Sequence, residues 1–220
     1  MIPAILREPY IPFVPETWNG VLVLGEAQHL GKKNLNYRMR LLDADQLTRL
    51  TRLRLENGAV GIAPWDDGTL RFAVEAALGL LAEECAVSNA VPWSQVNEND
   101  DNANPSRELI KLAARFWEEM LPALAPARVI ACGGIARSVF KPLVAAAGGS
   151  SRFLFPRLPS PRSTTALVKK YPESLVVTRS PAIVRKATER PEWLVKYRAN
   201  KLAYAHYLAM LEAEGRIDPP

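Results

Sequence analysis

The residues that directly follow the short apolar runs of this sequence are the ones whose types could do chemistry. Glu26, Gln28 and His29 come just after the apolar run at 21–24 and after Gly25, which permits a tight turn. A carboxylate and an imidazole are general acid–base groups, and an amide recognises hydrogen-bonding ligands. Taken alone this pattern has little specificity, because polar loops after strands are common.

Two later segments carry further candidates. Asn89 lies inside the apolar run at 85–91, so its amide needs a partner, either in the neighbouring backbone or in a ligand. Residues 157–165 combine prolines with hydroxyls and arginines, among them Ser160 and Arg162. That combination suits phosphate binding, and an ordinary surface turn is the alternative.

The elements that must position these groups are apolar runs that alternate with amphipathic segments. We predict strands at residues 21–24, 85–91, 128–132 and 152–155. We predict helices at residues 41–56, 69–81, 104–121, 133–140 and 191–214. This alternation is typical of an α/β domain with a mainly parallel sheet. Ligands of such sheets bind beyond the carboxyl ends of the strands, where the candidate residues lie.

Composition excludes several classes of protein. With 220 residues, 48% hydrophobic and 23% charged, the chain can form a substantial core. It has no apolar run of membrane-spanning length and no signal-peptide pattern at its start, so we expect a cytoplasmic protein without a membrane partner. Cys85 and Cys132 are the only cysteines, and His29 and His206 the only histidines. A disulfide framework, a four-cysteine cluster and a histidine-rich metal centre are therefore excluded, and we expect no metal and no cofactor.

Charge is distributed unevenly along the chain. Residues 1–150 carry 15 Lys and Arg against 17 Asp and Glu, whereas residues 151–220 carry 13 against 6. A basic C-terminal segment suits a polyanion such as nucleic acid, and a solvated helical face is the alternative. We expect an α/β domain at 1–165 and a basic, largely helical extension at 166–220 that packs on it.

Three of these segments together resemble motifs of the uracil-DNA glycosylase superfamily. Residues 25–27 (Gly-Glu-Ala) are similar to the motif after its first strand, and residues 88–91 (Ser-Asn-Ala-Val) to the motif around its asparagine. Residues 158–162 (Leu-Pro-Ser-Pro-Arg) resemble its His-Pro-Ser-Pro motif, and residues 61–65 its segment with a base-stacking aromatic. The resemblance spans about residues 18–165, and the order of these short motifs supplies most of its specificity.

The resemblance implies a three-layer αβα fold with a central, mainly parallel four-stranded sheet. It also implies a metal-independent hydrolase that excises uracil or a related damaged base from single- or double-stranded DNA, after the nucleotide has left the helical stack. Its implied site residues are Glu26 and His29 for catalysis, Asn89, Trp65 and Gln28 for the base, and Ser160, Arg162, Lys169 and Lys170 for phosphates.

Two departures from the family pattern bear on activity. Ala27 stands where the best-known branch has its catalytic aspartate, as it does in other branches with a preceding glutamate. Leu158 stands where the family has the histidine that stabilises the leaving base. Loss of one preorganised donor costs about 3–4 kcal/mol of transition-state stabilisation. His29 replaces that donor only if its loop turns into the pocket.

The sequence therefore supports three hypotheses. The first is a DNA glycosylase-like hydrolase. The second is a catalytically degraded nucleic-acid-binding module of the same fold, suggested by Leu158 and the basic extension. The third is a hydrolase or transferase acting on free nucleosides or nucleotides. The sequence does not determine the oligomeric state.

Overall fold

The structure is a computed structural model of the full chain. It describes residues 4–5, 12–27, 45–46, 49, 69–146, 152–158 and 201–216. The chain forms two compact units, one of Met1–Asp66 with Glu83–Phe155 and the other of Asp67–Ala82 with Pro156–Pro220. The second unit therefore combines the C-terminal segment with a stretch from the middle of the chain, whereas the sequence suggested a single division after residue 165.

The first unit contains a parallel four-stranded sheet. The strands of the described residues are β1 (Ala4–Ile5), β2 (Val21–Ala27), β3 (Ala86–Val91), β4 (Ser94–Gln95), β5 (Arg128–Ala131) and β6 (Phe153–Leu154). The sheet has the order β3-β2-β5-β6 with all its neighbours parallel, and β1 pairs with β4 in a separate antiparallel ribbon. Because β2 lies between two partners, its carboxyl end is flanked by those of β3 and β5.

The helices of the described residues are α1 (Thr69–Leu78), α2 (Arg107–Leu124), α3 (Gly133–Ala146) and α4 (Lys201–Ala213), with a short 3-10 turn at Ala82–Glu84. The face of the sheet that carries Leu22 and Leu24 packs against α2 and α3 in one apolar core. The opposite face, which carries Val23 and Ile130, is fully buried as well. A parallel sheet buried on both faces is the central layer of a three-layer α/β fold, so the predicted fold class is confirmed.

Helix α2 begins later than the sequence predicted. Its N-cap is Ser106, whose hydroxyl accepts a hydrogen bond from the Leu109 N–H at 3.2 Å, so the predicted start at residue 104 is wrong. A serine hydroxyl placed three residues before a free N–H satisfies that donor directly, and this decides the start of the helix. The buried stripe consists of Leu109, Ala113, Trp117 and Leu121, and the predicted member Leu112 is exposed.

An N-terminal segment covers the outer edge of β3. Phe13 and Val87 exchange two backbone hydrogen bonds of 3.0 Å in an antiparallel bridge. Asn19 then fixes the start of β2, because its Oδ1 accepts from the Val21 N–H at 3.0 Å. This covered edge matters because unpaired strand edges are sites of self-association.

The second unit is held together by the packing of α1 against α4. The predicted apolar positions Tyr204, Leu208 and Leu211 of α4 are buried, which confirms that they belong to a core. Arg216 adds a hydrogen bond from its guanidinium to the Ala77 carbonyl at the end of α1. Within the described part of the chain, no helix combines the length and apolarity needed to cross a membrane.

Candidate functional site

Glu26 is anchored at the start of helix α3. Its Oε1 accepts a hydrogen bond of 2.9 Å from the Ile135 backbone N–H, so the carboxylate satisfies one of the free donors at that helix end. A negative charge there is also stabilised by the helix dipole. No hydrogen bond joins Oε2 to any residue that the structure describes. Among the described residues, the carboxylate is thus held through one oxygen only.

Gly133 makes this contact possible. Its φ is +95°, a conformation that side chains disfavour. A Cβ built on Gly133 would lie 2.3 Å from Oε1 and 2.6 Å from Cδ of Glu26, which is far inside van der Waals contact. At Gly134 the same construction meets nothing closer than Oε1 at 4.0 Å. The first of the two glycines therefore leaves the space that the carboxylate occupies.

Asn89 is a buried amide without a partner. Its side chain lies in β3 and only 1% of the residue is exposed. Neither Oδ1 nor Nδ2 has a hydrogen-bond partner in the described part of the chain. Of the two partners that the sequence allowed for this amide, neighbouring backbone or a ligand, the backbone partner is not found among the described residues. A buried polar group left unsatisfied costs about 1–3 kcal/mol, so this amide is a functional candidate on physical grounds.

The two described site residues lie on opposite faces of the sheet. Gly25 and Asn89 are paired in the parallel register of β2 and β3, so Asn89 shares its face with Val87 and Val23. Glu26 follows Gly25 and points to the other face, where α3 packs. The structure thus places them one register position apart, but it does not bring their side chains together on one face. They share only the carboxyl end of the sheet, where ligands of α/β folds bind.

The other predicted site residues lie outside the described part of the chain. These are Gln28, His29, Trp65, Ser160, Arg162, Lys169 and Lys170. Their roles stay predictions from the resemblance. Leu158 is described and half-buried, and it belongs to the second unit.

Cys132 directly follows β5 and is completely buried. Its N–H donates to the Leu24 carbonyl at 2.9 Å, which continues the pairing of β5 with β2. Burial, followed by the negative charge of Glu26, raises the pKa of this thiol well above its ordinary value. Cys85 is buried too, so both thiols occupy the core positions that the sequence indicated.

The raised pKa of Cys132 predicts a loss of stability in alkali. Above the ordinary thiol pKa of 9.0 the unfolded chain releases the proton while the folded chain keeps it. The free energy of unfolding therefore falls with rising pH, by about 1.4 kcal/mol per pH unit from this group. We expect urea titrations above pH 9.0 to show a shallower fall for Cys132→Ala than for the wild type. Equal slopes for the two proteins would contradict the assignment.

Sequence reasoning missed Gly133 as a functional position. The only signal was a Gly-Gly pair directly after a strand, which was interpreted as a turn. Its role depends on the meeting of two segments more than a hundred residues apart. Among the residues that the structure describes, no group of three or more His, Cys, Asp or Glu side chains could hold a metal ion.

Comparison with known proteins adds no assignment. No protein-family model matches the chain, and no curated protein matches it significantly. The likeness to the uracil-DNA glycosylase superfamily therefore stays a prediction from the sequence motifs.

Proposed function

We propose that this protein is a DNA glycosylase-like hydrolase that releases uracil or a related damaged base from DNA. The unsatisfied amide of Asn89, buried at the carboxyl end of the sheet, is the observation that carries the proposal. A buried amide without hydrogen-bond partners has a free-energy cost, which a ligand with complementary hydrogen-bonding groups removes.

The amide matches the edge of uracil. Its Nδ2–H₂ donates to a ring carbonyl oxygen while its Oδ1 accepts from the adjacent ring N–H. Glycosylases gain access to this edge by flipping the nucleotide out of the stack and into a pocket. Since both atoms of Asn89 are free, one side chain serves both hydrogen bonds.

Glu26 supplies the negative charge that the reaction requires. In hydrolysis, water adds to C1′ of the sugar, the bond from C1′ to the base nitrogen breaks, and the base leaves with the electron pair. A carboxylate beside C1′ stabilises the developing positive charge and orients the water. Glu26 is suited to this role because Oε1 is held by Ile135 and leaves Oε2 to face the sugar. A substrate that uses both residues must straddle the end of β2.

A nucleic-acid-binding module without turnover is the second candidate. The hydrogen bond to Ile135 accounts for Glu26 as a helix cap, without any catalytic role. Leu158 also removes the donor that the family uses to stabilise the leaving base. In this alternative Asn89 binds a base, and Glu26 only maintains the fold.

The substitution Glu26→Gln distinguishes the two candidates. Glutamine keeps an oxygen that accepts from Ile135 but loses the charge, so the helix cap survives. If Glu26 acts in catalysis, we expect base release from uracil-containing oligonucleotides to fall about a hundredfold or more, with folding stability nearly unchanged. The measurement is alkaline cleavage at the abasic sites formed on single- and double-stranded substrates.

Glu108→Gln is the matched control, because Glu108 also lies in the first turn of a helix and is exposed. We expect it to leave base release unchanged. Full turnover by Glu26→Gln would assign Glu26 to capping alone. Absence of base release by the wild-type protein at stoichiometric amounts would reject the hydrolase.

A further inference from the structure

A long central stretch of the chain contains no acidic residue. Residues 120–172 include no Asp and no Glu, and they carry the cations Arg128, Arg137, Lys141, Arg152, Arg157, Arg162, Lys169 and Lys170. The described part of this stretch includes β5, α3 and β6 in the first unit. One side of that unit is therefore built from a segment of a single charge sign.

Helix α3 presents two of these cations to solvent. Ala136, Val139 and Phe140 face the core, whereas Arg137 and Lys141 are exposed one helical turn apart. Neither cation forms an ion pair with any residue that the structure describes. Their charges are thus available to a partner.

The guanidinium of Arg137 is held in place beside the edge of the sheet. Its Nη2 donates to the Phe155 carbonyl at 3.1 Å, and the group lies 5.7 Å from the centre of the Phe155 ring. The rings of Phe153 and Phe155 are parallel, with centroids 6.2 Å apart, and Arg152 lies over Phe153 at 5.1 Å. The guanidinium groups of Arg137 and Arg152 therefore flank a pair of aromatic rings. These contacts fix the positions of the two guanidinium groups before any partner binds.

Helix α2 provides a comparison for the exposed cations of α3. It also exposes two cations four residues apart, Lys111 and Arg115, but Glu108, Glu118 and Glu119 lie on the same helix. The two helices thus carry similar cations in different electrostatic surroundings. Of these two helices, α3 is the one with a net positive charge, and such a charge attracts a polyanion over a distance.

We propose that the exposed face of α3, together with Arg152 at the edge of the sheet, binds the phosphate backbone of a nucleic acid. We call this surface, defined by Arg137, Lys141 and Arg152, the cationic edge. It deepens the proposed function, on which it rests, by assigning a path to the polymer that carries the base. A membrane surface fits less well, because α3 directs its apolar side chains into the core and has no large exposed apolar residue.

The test compares the double variant Arg137→Gln/Lys141→Gln with Lys111→Gln/Arg115→Gln in the full chain. Both remove two exposed charges from the first unit, and only the first alters the cationic edge. Binding is measured by fluorescence anisotropy with labelled oligonucleotides that lack uracil, single- and double-stranded, over a series of salt concentrations. Because no base needs to be released, the result does not depend on turnover.

For the first variant we expect affinity to fall about tenfold or more. The slope of log affinity against log salt should also become shallower by about 1.8 for duplex or 1.4 for single strands, which corresponds to two lost phosphate contacts. The control should retain the wild-type slope. Equal effects of the two variants, or binding of the wild type to anionic lipid vesicles but not to oligonucleotides, would overturn the proposal. A wild type that binds these oligonucleotides with the expected salt dependence, but releases no base from uracil-containing ones, would support the cationic edge and reject the hydrolase.

Discussion

Replacing Asn89 by leucine is expected to stabilise the protein and to abolish base release at the same time. Leucine has nearly the shape of asparagine, and it removes a buried amide whose two polar atoms have no partner. The gain should be about 1–3 kcal/mol in the free energy of unfolding, since that is the cost of an unsatisfied buried polar group. Base release should fall at least a hundredfold, because the base loses both hydrogen bonds to its edge.

Asn19→Leu is the matched control for this experiment. Asn19 belongs to the same unit, but its Oδ1 accepts from the Val21 N–H, so leucine leaves that donor unpaired. We expect this variant to lose about 1 kcal/mol of stability. Urea denaturation gives the two free-energy changes, and oligonucleotide cleavage gives the two activities. If Asn89→Leu were destabilising and still active, Asn89 would be an ordinary structural residue and the proposed function would lose its main support.

Replacing Gly133 by alanine is expected to disrupt the junction between β2 and α3. The new Cβ would overlap the Glu26 carboxylate, and the φ of +95° is unfavourable for alanine by about 1–2 kcal/mol. Displacement of the carboxylate also removes its hydrogen bond to Ile135, which contributes about 1.5–3 kcal/mol as a bond to a charged group. The total loss should therefore be about 3–5 kcal/mol, accompanied by loss of base release.

Gly134→Ala provides the comparison, because its Cβ has open space and alanine favours a helix. We expect this neighbour to be neutral or slightly stabilising, by up to about 1 kcal/mol. In the double variant Gly133→Ala/Glu26→Ala, the loss of stability from the positive φ should remain. The steric overlap between the new Cβ and the Glu26 side chain should be relieved. A Gly133→Ala protein as stable as Gly134→Ala would show that the carboxylate does not depend on this glycine.

The sequence predicted three of the four sheet strands within one residue, because each is a short apolar run with a clear limit. The predicted end of β2 at residue 24 is wrong, since the strand continues through Gly25 and Glu26 to Ala27, and β1 and β4 were not predicted. Residues 85–91 correspond to β3 at Ala86–Val91, and the prediction at 128–132 corresponds to β5 at Arg128–Ala131. The helix limits were harder to predict. The helix predicted at 133–140 continues past Pro142 to Ala146, because packing of Leu143 against the core outweighs the loss of one hydrogen bond.

The candidate site was only partly predictable for a different reason. The residue types and their place at strand ends identified Glu26 and Asn89 directly. The face that each side chain occupies depends on the register between β2 and β3. Side chains alternate between the two faces of a strand, so a shift of one residue moves a side chain to the opposite face. The hydrogen bond between Glu26 and Ile135 joins two segments that are 109 positions apart in the sequence. A pattern of neighbouring residues cannot predict such a long-range contact.

The bridge between Phe13 and Val87 also bears on how this protein behaves at high concentration. The edge of β3 would otherwise present a free N–H and a free carbonyl at Val87, in a strand whose residues are all buried. A second copy of the chain could pair with that edge and begin an intermolecular sheet. The Phe13 backbone therefore occupies the pairing position at Val87 that a second copy would need, so we expect this bridge to oppose self-association.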